Sequence, residues 1–272
     1  MYDSISTKHV PPPLKWAGGK RWLTAQNEYF VPKGFNRYFE PFFGSGALFF
    51  HLRPARSCIS DVNEDLINLY KVIKCSPVDL QALLREHHNL HNKEYYYKVR
   101  AMAPDCSVSK AARLLYLNRT CWNGLYRVNK QGRFNVPIGT KSAVCMKTDD
   151  FEALSKILAN SDISARDFEE SIDLAGEGDF VFADPPYTVA HNNNGFIKYN
   201  EALFSWEDQV RLRNAIKRAA SRGAICVVTN ADHESIHQLY HGFKIRKLSR
   251  AGVIAGASVA RGKFDELIIQ AN

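Results

Sequence analysis

Asp184 sits among residues that narrow what a carboxylate can do. Before it, Phe180-Val181-Phe182-Ala183 is an apolar run with no polar alternation, which predicts a buried strand. After it, Pro185 and Pro186 end the strand, since neither can donate to a sheet ladder and each fixes its φ. Tyr187 closes the group. A carboxylate, a stiff turn and an aromatic ring are thus expected together at the carboxyl end of a strand, where open α/β sheets bind ligands. The same residues also suit a strand-ending turn with an incidental acid, so the rest of the chain has to decide between a chemical and a structural role.

Upstream, Arg37-Tyr38-Phe39-Glu40-Pro41-Phe42-Phe43-Gly44-Ser45-Gly46 reads as a short strand running into a glycine loop, with an apolar helix starting near Ala47. Gly44 and Gly46 keep the loop free of Cβ atoms where a cofactor must lie against backbone. Phe49 stands where a dinucleotide fingerprint needs its third glycine, so no pyrophosphate need be assumed. A second strand over residues 57–60 ends in Asp61, placed to accept hydrogen bonds from a ribose diol. Together these describe a nucleoside-binding first βαβ unit that fits adenosyl-methionine better than NAD. Nearer the N-terminus, Pro11-Pro12-Pro13 leads stiffly into Lys15-Trp16-Ala17-Gly18-Gly19-Lys20, a glycine turn followed by a point charge. The G-x-x-x-x-G-K-[ST] spacing of a phosphate loop is absent, which disfavours an ATP site. Trp16 alone reads as core.

Residues 118–137, with turn chemistry at 129–132, predict a β-hairpin. It interleaves Arg, Asn and aromatic side chains, the types that read base edges and wedge into stacks. The hairpin lies in a basic segment. Residues 75–145 hold 11 Lys+Arg against 4 Asp+Glu, nearly all of the chain's formal excess of +8. A basic block in an otherwise near-neutral protein suggests a polyanion-binding surface, nucleic acid first. A solvated helical face is the plainer alternative.

Helical patterns cover residues 21–30, 63–74, 79–102, 109–117, 149–158 and 232–240, and Ser205-Trp206-Glu207-Asp208 opens a capped helix. Short strands are expected at 163–165, 224–229, 243–248 and 266–270. Residues 188–202, with Asn192-Asn193-Asn194-Gly195, read as a loop that orders over substrate, and 251–262 as a small-residue basic loop. The alternation predicts an α/β fold, a mostly parallel three-layer sheet interrupted by the basic insertion. The longest apolar runs fall short of a membrane span, and the N-terminus lacks the apolar core of a signal peptide, so neither is expected. Six scattered cysteines without a C-x-x-C pair argue against a zinc site and a disulfide framework and for a reducing cytoplasm.

Taken in order, the motifs resemble those of the Dam-type, D12-class DNA adenine-N6 methyltransferases of the alpha group. Lys15-Trp16-Ala17-Gly18-Gly19-Lys20 is similar to the family's N-terminal motif, Phe39-Glu40-Pro41-Phe42-Phe43-Gly44-Ser45-Gly46 to its cofactor loop and Asp184-Pro185-Pro186-Tyr187 to its catalytic motif. The resemblance runs from about Lys15 to the C-terminus and implies a Rossmann-like, class I methyltransferase sheet. Residues 1–74 and 146–272 would form the catalytic domain, and 75–145 a mainly helical DNA-recognition domain carrying the hairpin.

The resemblance also implies roles. Asp184, Pro185, Pro186 and Tyr187 would be catalytic. S-adenosyl-L-methionine would be bound by Trp16, Ala17, Gly18, Lys20, Glu40, Phe42, Gly44, Ser45, Gly46, Asp61 and Asp184, with Asp167 and Phe168 at its adenine. Lys15, Arg119, Trp122, Asn123, Leu125, Arg127, Asn135 and Pro137 would contact double-stranded DNA, with GATC as the site. No metal and no membrane are implied, and the enzyme would act as a monomer or weak dimer on DNA, in the cytoplasm of a bacterial or phage-infected cell. Trp122 stands where the family often carries a smaller aromatic, Arg133 replaces an expected acid, and Lys141 lies where some members carry tyrosine. These departures bear on flanking bases more than on the central GAT.

Other acceptors have related chemistry: cytosine N4, RNA adenine or a protein glutamine amide. Asp rather than Asn at position 184, with a basic hairpin between the motifs, favours DNA adenine. A DNA-binding protein that keeps the fold without activity is a further alternative, against which the intact Asp184-Pro185-Pro186-Tyr187 and glycine loop argue.

Overall fold

A computed structural model describes residues 10–129, 131–188, 204–251 and 263–272. The loops expected over 188–202 and 251–262 therefore lie, apart from Thr188 and Ala251, outside the described residues. Seven strands form one sheet: β1 (Tyr38–Glu40), β2 (Ser57–Asp61), β3 (Ser161–Ala165), β4 (Phe180–Ala183), β5 (Ile225–Ala231), β6 (Lys244–Ala251) and β7 (Lys263–Ala271), in the order β3-β2-β1-β4-β5-β7-β6. β1 runs parallel to β2 and β4, and β4 to β5. β7 is antiparallel to both β5 and β6. The order reverses between β1 and β4, the switch at which doubly wound sheets bind ligands outside their strand ends.

Within the described residues the helices are α1 (Ala47–Leu52), α2 (Glu64–Cys75), α3 (Pro77–Leu90), α4 (Lys93–Ala101), α5 (Ser107–Thr120), α6 (Phe151–Leu158), α7 (Phe168–Asp173), α8 (Trp206–Ser221) and α9 (Glu234–Leu239). The helical pattern expected over 79–102 is two helices. Asn92 is extended (φ −153°) and its side chain accepts from the Tyr95 amide, so it caps α4 and separates it from α3. Residues 21–29 form a 3-10 helix, kinked at Gln26, rather than an α-helix.

By compactness the chain divides into two units, residues 1–21, 43–55 and 61–165, and residues 22–42, 56–60 and 166–272. The division expected at 75 and 145 follows function rather than compactness and is taken up below as a proposal. In the second unit Phe39, Val181, Ala183, Leu212, Ile216, Val228 and Ile269 share one buried core. At about 1.5–3 kcal/mol for each fully buried large apolar side chain, this packing fixes the strand ends that follow it. Asp179, buried, takes the Arg37 amide and guanidinium (2.6 Å for the closest pair) and so aligns the starts of β4 and β1. That pairing raises the pKa of Arg37.

Residues 118–139, in the first unit, turn back on themselves as expected, but without a continuous ladder. Two isolated antiparallel bridges, Val128 with Phe134 and Cys121 with Ile138, close the segment. Between them Trp122–Gly124 makes a 3-10 turn, with Asn123 at φ 55° and Gly124 at φ 67°. Two consecutive left-handed residues take the chain off the extended path that a strand needs, so the hairpin is interrupted there.

Candidate active site and nucleic-acid interface

Register brings the catalytic candidates their partners. Ala183 on β4 pairs with Val228 on β5, so the next residues, Asp184 and Thr229, come side by side at the strand tips. Thr229, fully buried, donates its hydroxyl proton to Asp184 Oδ1. Pro185 is buried and Asp184 half-buried. The Tyr187 hydroxyl donates to Oε2 of Glu266 (2.9 Å), itself buried on β7. Thr188 Oγ1 accepts from Gln209 Nε2 (2.8 Å), Gln209 Oε1 accepts from Asn230 Nδ2 (3.0 Å), and Asn230 Oδ1 accepts from the Ala231 amide (2.9 Å). Beside this, Glu40 at the end of β1 accepts from the buried Tyr38 hydroxyl (2.8 Å). Burial, then the Glu40 and Asp184 charges, push the Tyr38 pKa well up, so it remains a proton donor. A carboxylate with a fixed orientation, next to a proline carbonyl with no competing N–H, is an acceptor pair for an amine.

Thr229, Gln209, Asn230 and Glu266 were not marked by the sequence. The signal for Thr229, Asn230 and Glu266 is sheet order, which puts β5 beside β4 and β7 beside β5, and Gln209 reaches the site from α8.

In the first unit, the N-terminal motif and the glycine loop do meet. A Cβ on Gly44 (φ 48°) would stand 2.8 Å from Trp16 Cδ1, and one on Gly19 would stand 3.3 Å from Ser45 Oγ. Gly46 (φ 62°) is bare because a Cβ there would strike the Phe43 ring at 2.5 Å. The loop's own packing therefore requires these glycines, in addition to whatever a ligand requires. The Gly44 peptide is gripped at both ends: its N–H donates to Asp61 Oδ2 (3.0 Å), and its carbonyl accepts from the Tyr70 hydroxyl (2.9 Å). Asp61 Oδ1 accepts from the Asn63 amide (3.0 Å). Burial raises the Asp61 pKa, and these backbone donors pull against it. A carboxylate offers about four lone pairs; with backbone donors from Gly44, Val62 and Asn63 on Asp61, about one remains for a ligand hydroxyl, as on a ribose. Lys20, buried, donates to the Gly18 carbonyl (3.0 Å); Ala17 and Gly18 are exposed.

In the second unit, Asp167 caps α7 by accepting from the Glu169 amide (2.9 Å) and pairs with Arg211 (2.8 Å). Phe168 is buried, stacked with Phe42 (5.3 Å between centroids), packed against Phe204, and has the Arg211 guanidinium 4.8 Å from its ring centre. It is a core ring here rather than an open platform; Phe42 is partly exposed.

Among the DNA candidates, Trp122, Asn123, Arg127 and Pro137 are exposed. Arg127 Nε donates to Asn135 Oδ1 (2.8 Å), which joins two expected base readers into one rigid group. Leu125 is half-buried, its carbonyl facing the Cys121 thiol (3.2 Å). Lys15 is exposed, and its pKa is lowered by Lys141 beside it. The Lys15 peptide is clamped by Asn118, whose Oδ1 accepts from Lys15 N (3.0 Å) and whose Nδ2 donates to Lys15 O (2.8 Å). Trp16 stacks on Tyr126 (5.2 Å).

Arg119 differs from the other candidates in its burial. Its side chain is almost wholly buried, forms two 2.7 Å bonds to Asp149, and donates to the carbonyls of Val144 (2.7 Å) and Pro13 (2.9 Å). A guanidinium spent in this way inside the protein holds the segment's shape.

Among the described residues no helix is long and apolar enough to cross a membrane, and no group of three or more His, Cys, Asp or Glu is arranged to hold a metal ion.

This geometry agrees with likeness to known proteins. The chain is 39% identical over 270 residues to the Type II methyltransferase M1.LlaDCHI of Lactococcus lactis subsp. cremoris, covering 96% of this chain and 95% of that one. It is 37% identical to the Type II methyltransferase M.MjaIII of Methanocaldococcus jannaschii (88% and 91% covered). It is 30% identical to a DNA adenine methylase of Vibrio cholerae (94% of each covered). Residues 16–252 match the family described as D12 class N6 adenine-specific DNA methyltransferase, and the chain belongs to that family.

Proposed function

We propose that this adenine-specific DNA methyltransferase takes its methyl group from S-adenosyl-L-methionine and places it on N6 of an adenine flipped out of the duplex, at GATC. The observation that carries the reading is the Asp184 carboxylate, oriented by Thr229 at the tip of β4 and followed by the buried Pro185. An adenine amino group inside a duplex is paired and stacked, so the base has to leave the stack to react. Its nitrogen lone pair is conjugated into the ring and is a weak nucleophile. Asp184 and the Pro185 carbonyl each accept one N6–H, which steers the nitrogen toward tetrahedral geometry and stabilises the positive charge that develops on it. Pro186 keeps that carbonyl rigid. Tyr187, tethered through its hydroxyl to Glu266, presents its ring to the flipped base.

S-adenosyl-L-methionine supplies an electrophilic methyl group on its sulfonium. Of the chain's residues, Asp61 is proposed to accept from the ribose hydroxyls, with Trp16, Ala17, Gly18, Lys20, Gly44, Ser45 and Gly46 completing that contact. Glu40, Phe42, Asp167 and Asp184 keep the contacts that family membership suggests, and Phe168 backs Phe42 from the core. Proximity and charge placement carry the rate.

Residues 75–145 are proposed as the target-recognition domain and the remainder as the catalytic domain. Arg127 and Asn135 read base edges, Trp122 wedges into the stack, and Lys15, Asn123, Leu125 and Pro137 complete the contact. The enzyme works as a monomer or weak dimer on DNA, in the cytoplasm of a bacterial or phage-infected cell. Methylating a plasmid in vitro and mapping N6-methyladenine by sequencing tests reaction and site together. Modification confined to GATC is the expected result; another motif replaces the site, and loss of dependence on the donor replaces the cofactor.

A further inference from the structure

Asp184 has two torsions that a strand tip alone does not fix, and the terminal one is broad. What removes that freedom lies on another strand. Thr229 stands on β5, paired with Ile268 of β7 on one side and following Val228, the partner of Ala183, on the other. It is wholly buried, and its β-branched side chain is stiff at χ1. A valine would fill the same volume without a polar group to satisfy, whereas a buried hydroxyl costs stability unless it is hydrogen-bonded. The hydroxyl is used, and it is used on Asp184 Oδ1.

We infer that Thr229 is a positioning residue for methyl transfer: its hydroxyl sets the plane of the Asp184 carboxylate, so that the amino group meets an acceptor already turned to receive it. The same strand tip steadies the far end of the motif, since Asn230 holds Gln209, and Gln209 holds Thr188. β5 thus serves as the rest against which the Asp184-Pro185-Pro186-Tyr187 turn is set. This rests on the proposed role of Asp184 as acceptor for the amine.

The test compares Thr229→Val with Thr229→Ser in the full chain. kcat, KM for DNA and KM for S-adenosyl-L-methionine are measured together with the thermal midpoint. In the valine variant kcat should fall roughly 10²-fold, as expected for a misaligned reacting group, with both KM values nearly unchanged. The serine variant, which keeps the donor, should recover most of the rate. Wild-type kcat in the valine variant, or equal losses in both variants, overturns the inference. If the valine variant does not fold, Thr229→Cys takes its place: its thiol is a weaker donor, so kcat below that of the serine variant supports the role, and equal kcat overturns it. Asp184→Ala, assayed alongside, separates the two ideas. Turnover in that variant removes the acceptor role itself, while an inactive Asp184→Ala beside a fully active Thr229→Val removes only the role of Thr229.

Discussion

The tip of β4 and residues 118–139 are both irregular stretches of chain, yet they are held in opposite ways. Around Asp184 the tethers are buried side chains from other elements: Thr229 and Asn230 on β5, Gln209 on α8 and Glu266 on β7. Residues 118–139 are closed by two isolated backbone bridges and tied to the rest of their unit at Asn118, Arg119, Tyr126 and Val136, while Trp122 and Arg127, which would meet a ligand, stay exposed. Their one buried ionic anchor is Arg119. Reacting atoms need placement to a fraction of an ångström, and the fixed tethers supply it. Side chains that follow a groove need reach, and loops held by local bonds allow adjustment on binding.

Four substitutions can break or sharpen this contrast. Arg119→Ala should have the largest effect, a loss of about 3–5 kcal/mol in stability, because it removes the buried member of an ion pair and strands the Val144 and Pro13 carbonyls it serves; chemical denaturation reads it. Unchanged stability would mean that the buried pairing of Arg119 does not brace the segment. Asp184→Ala should lower turnover by at least ~10²–10³-fold, the scale of a lost electrostatic stabiliser, with circular dichroism like that of the parent and a stability loss of no more than about 1–3 kcal/mol from the Thr229 hydroxyl left without its acceptor. Near-normal turnover would sink the acceptor role. Arg127→Ala should cost roughly 1–3 kcal/mol at one guanine and relax choice there. If it instead weakened every sequence alike and flattened the salt dependence, Arg127 would be a phosphate contact. Gly44→Ala should cost about 1–2 kcal/mol in folding, the strain of a left-handed residue. Its larger readout is donor affinity by calorimetry, because the new methyl group displaces Trp16.

How much of this could be read beforehand depended on distance along the chain. Asp184 at a strand tip was legible because four apolar residues and two prolines state it locally. Asp61 followed from the same logic. Thr229 and Glu266 were not, since nothing local says which strands adjoin β4. The burial of Arg119 is illegible for a related reason: within 118–137 it is one more cation among aromatic residues, and its partner Asp149 lies thirty positions on. Phe168 is placed at a ligand by resemblance alone, and its packing against Phe42, Phe204 and Arg211 is visible in the fold and not along the chain. The break at Asn92 did have a local signal, a good capping residue inside an otherwise helical pattern, and the longer periodicity masked it.

One joint described above has a thermodynamic consequence. Asn118 binds the peptide of Lys15 through both its N–H and its carbonyl, and Tyr126 lies on the ring of Trp16. Any ligand that shifts the indole therefore works against residues 118–126, part of the proposed recognition segment, and anything that shifts Tyr126 works against the indole. Coupling free energies are reciprocal. The factor by which the methyl donor alters affinity for DNA must then equal the factor by which DNA alters affinity for the donor. Loosening this joint, for example by Tyr126→Ala, would bring both factors toward one together.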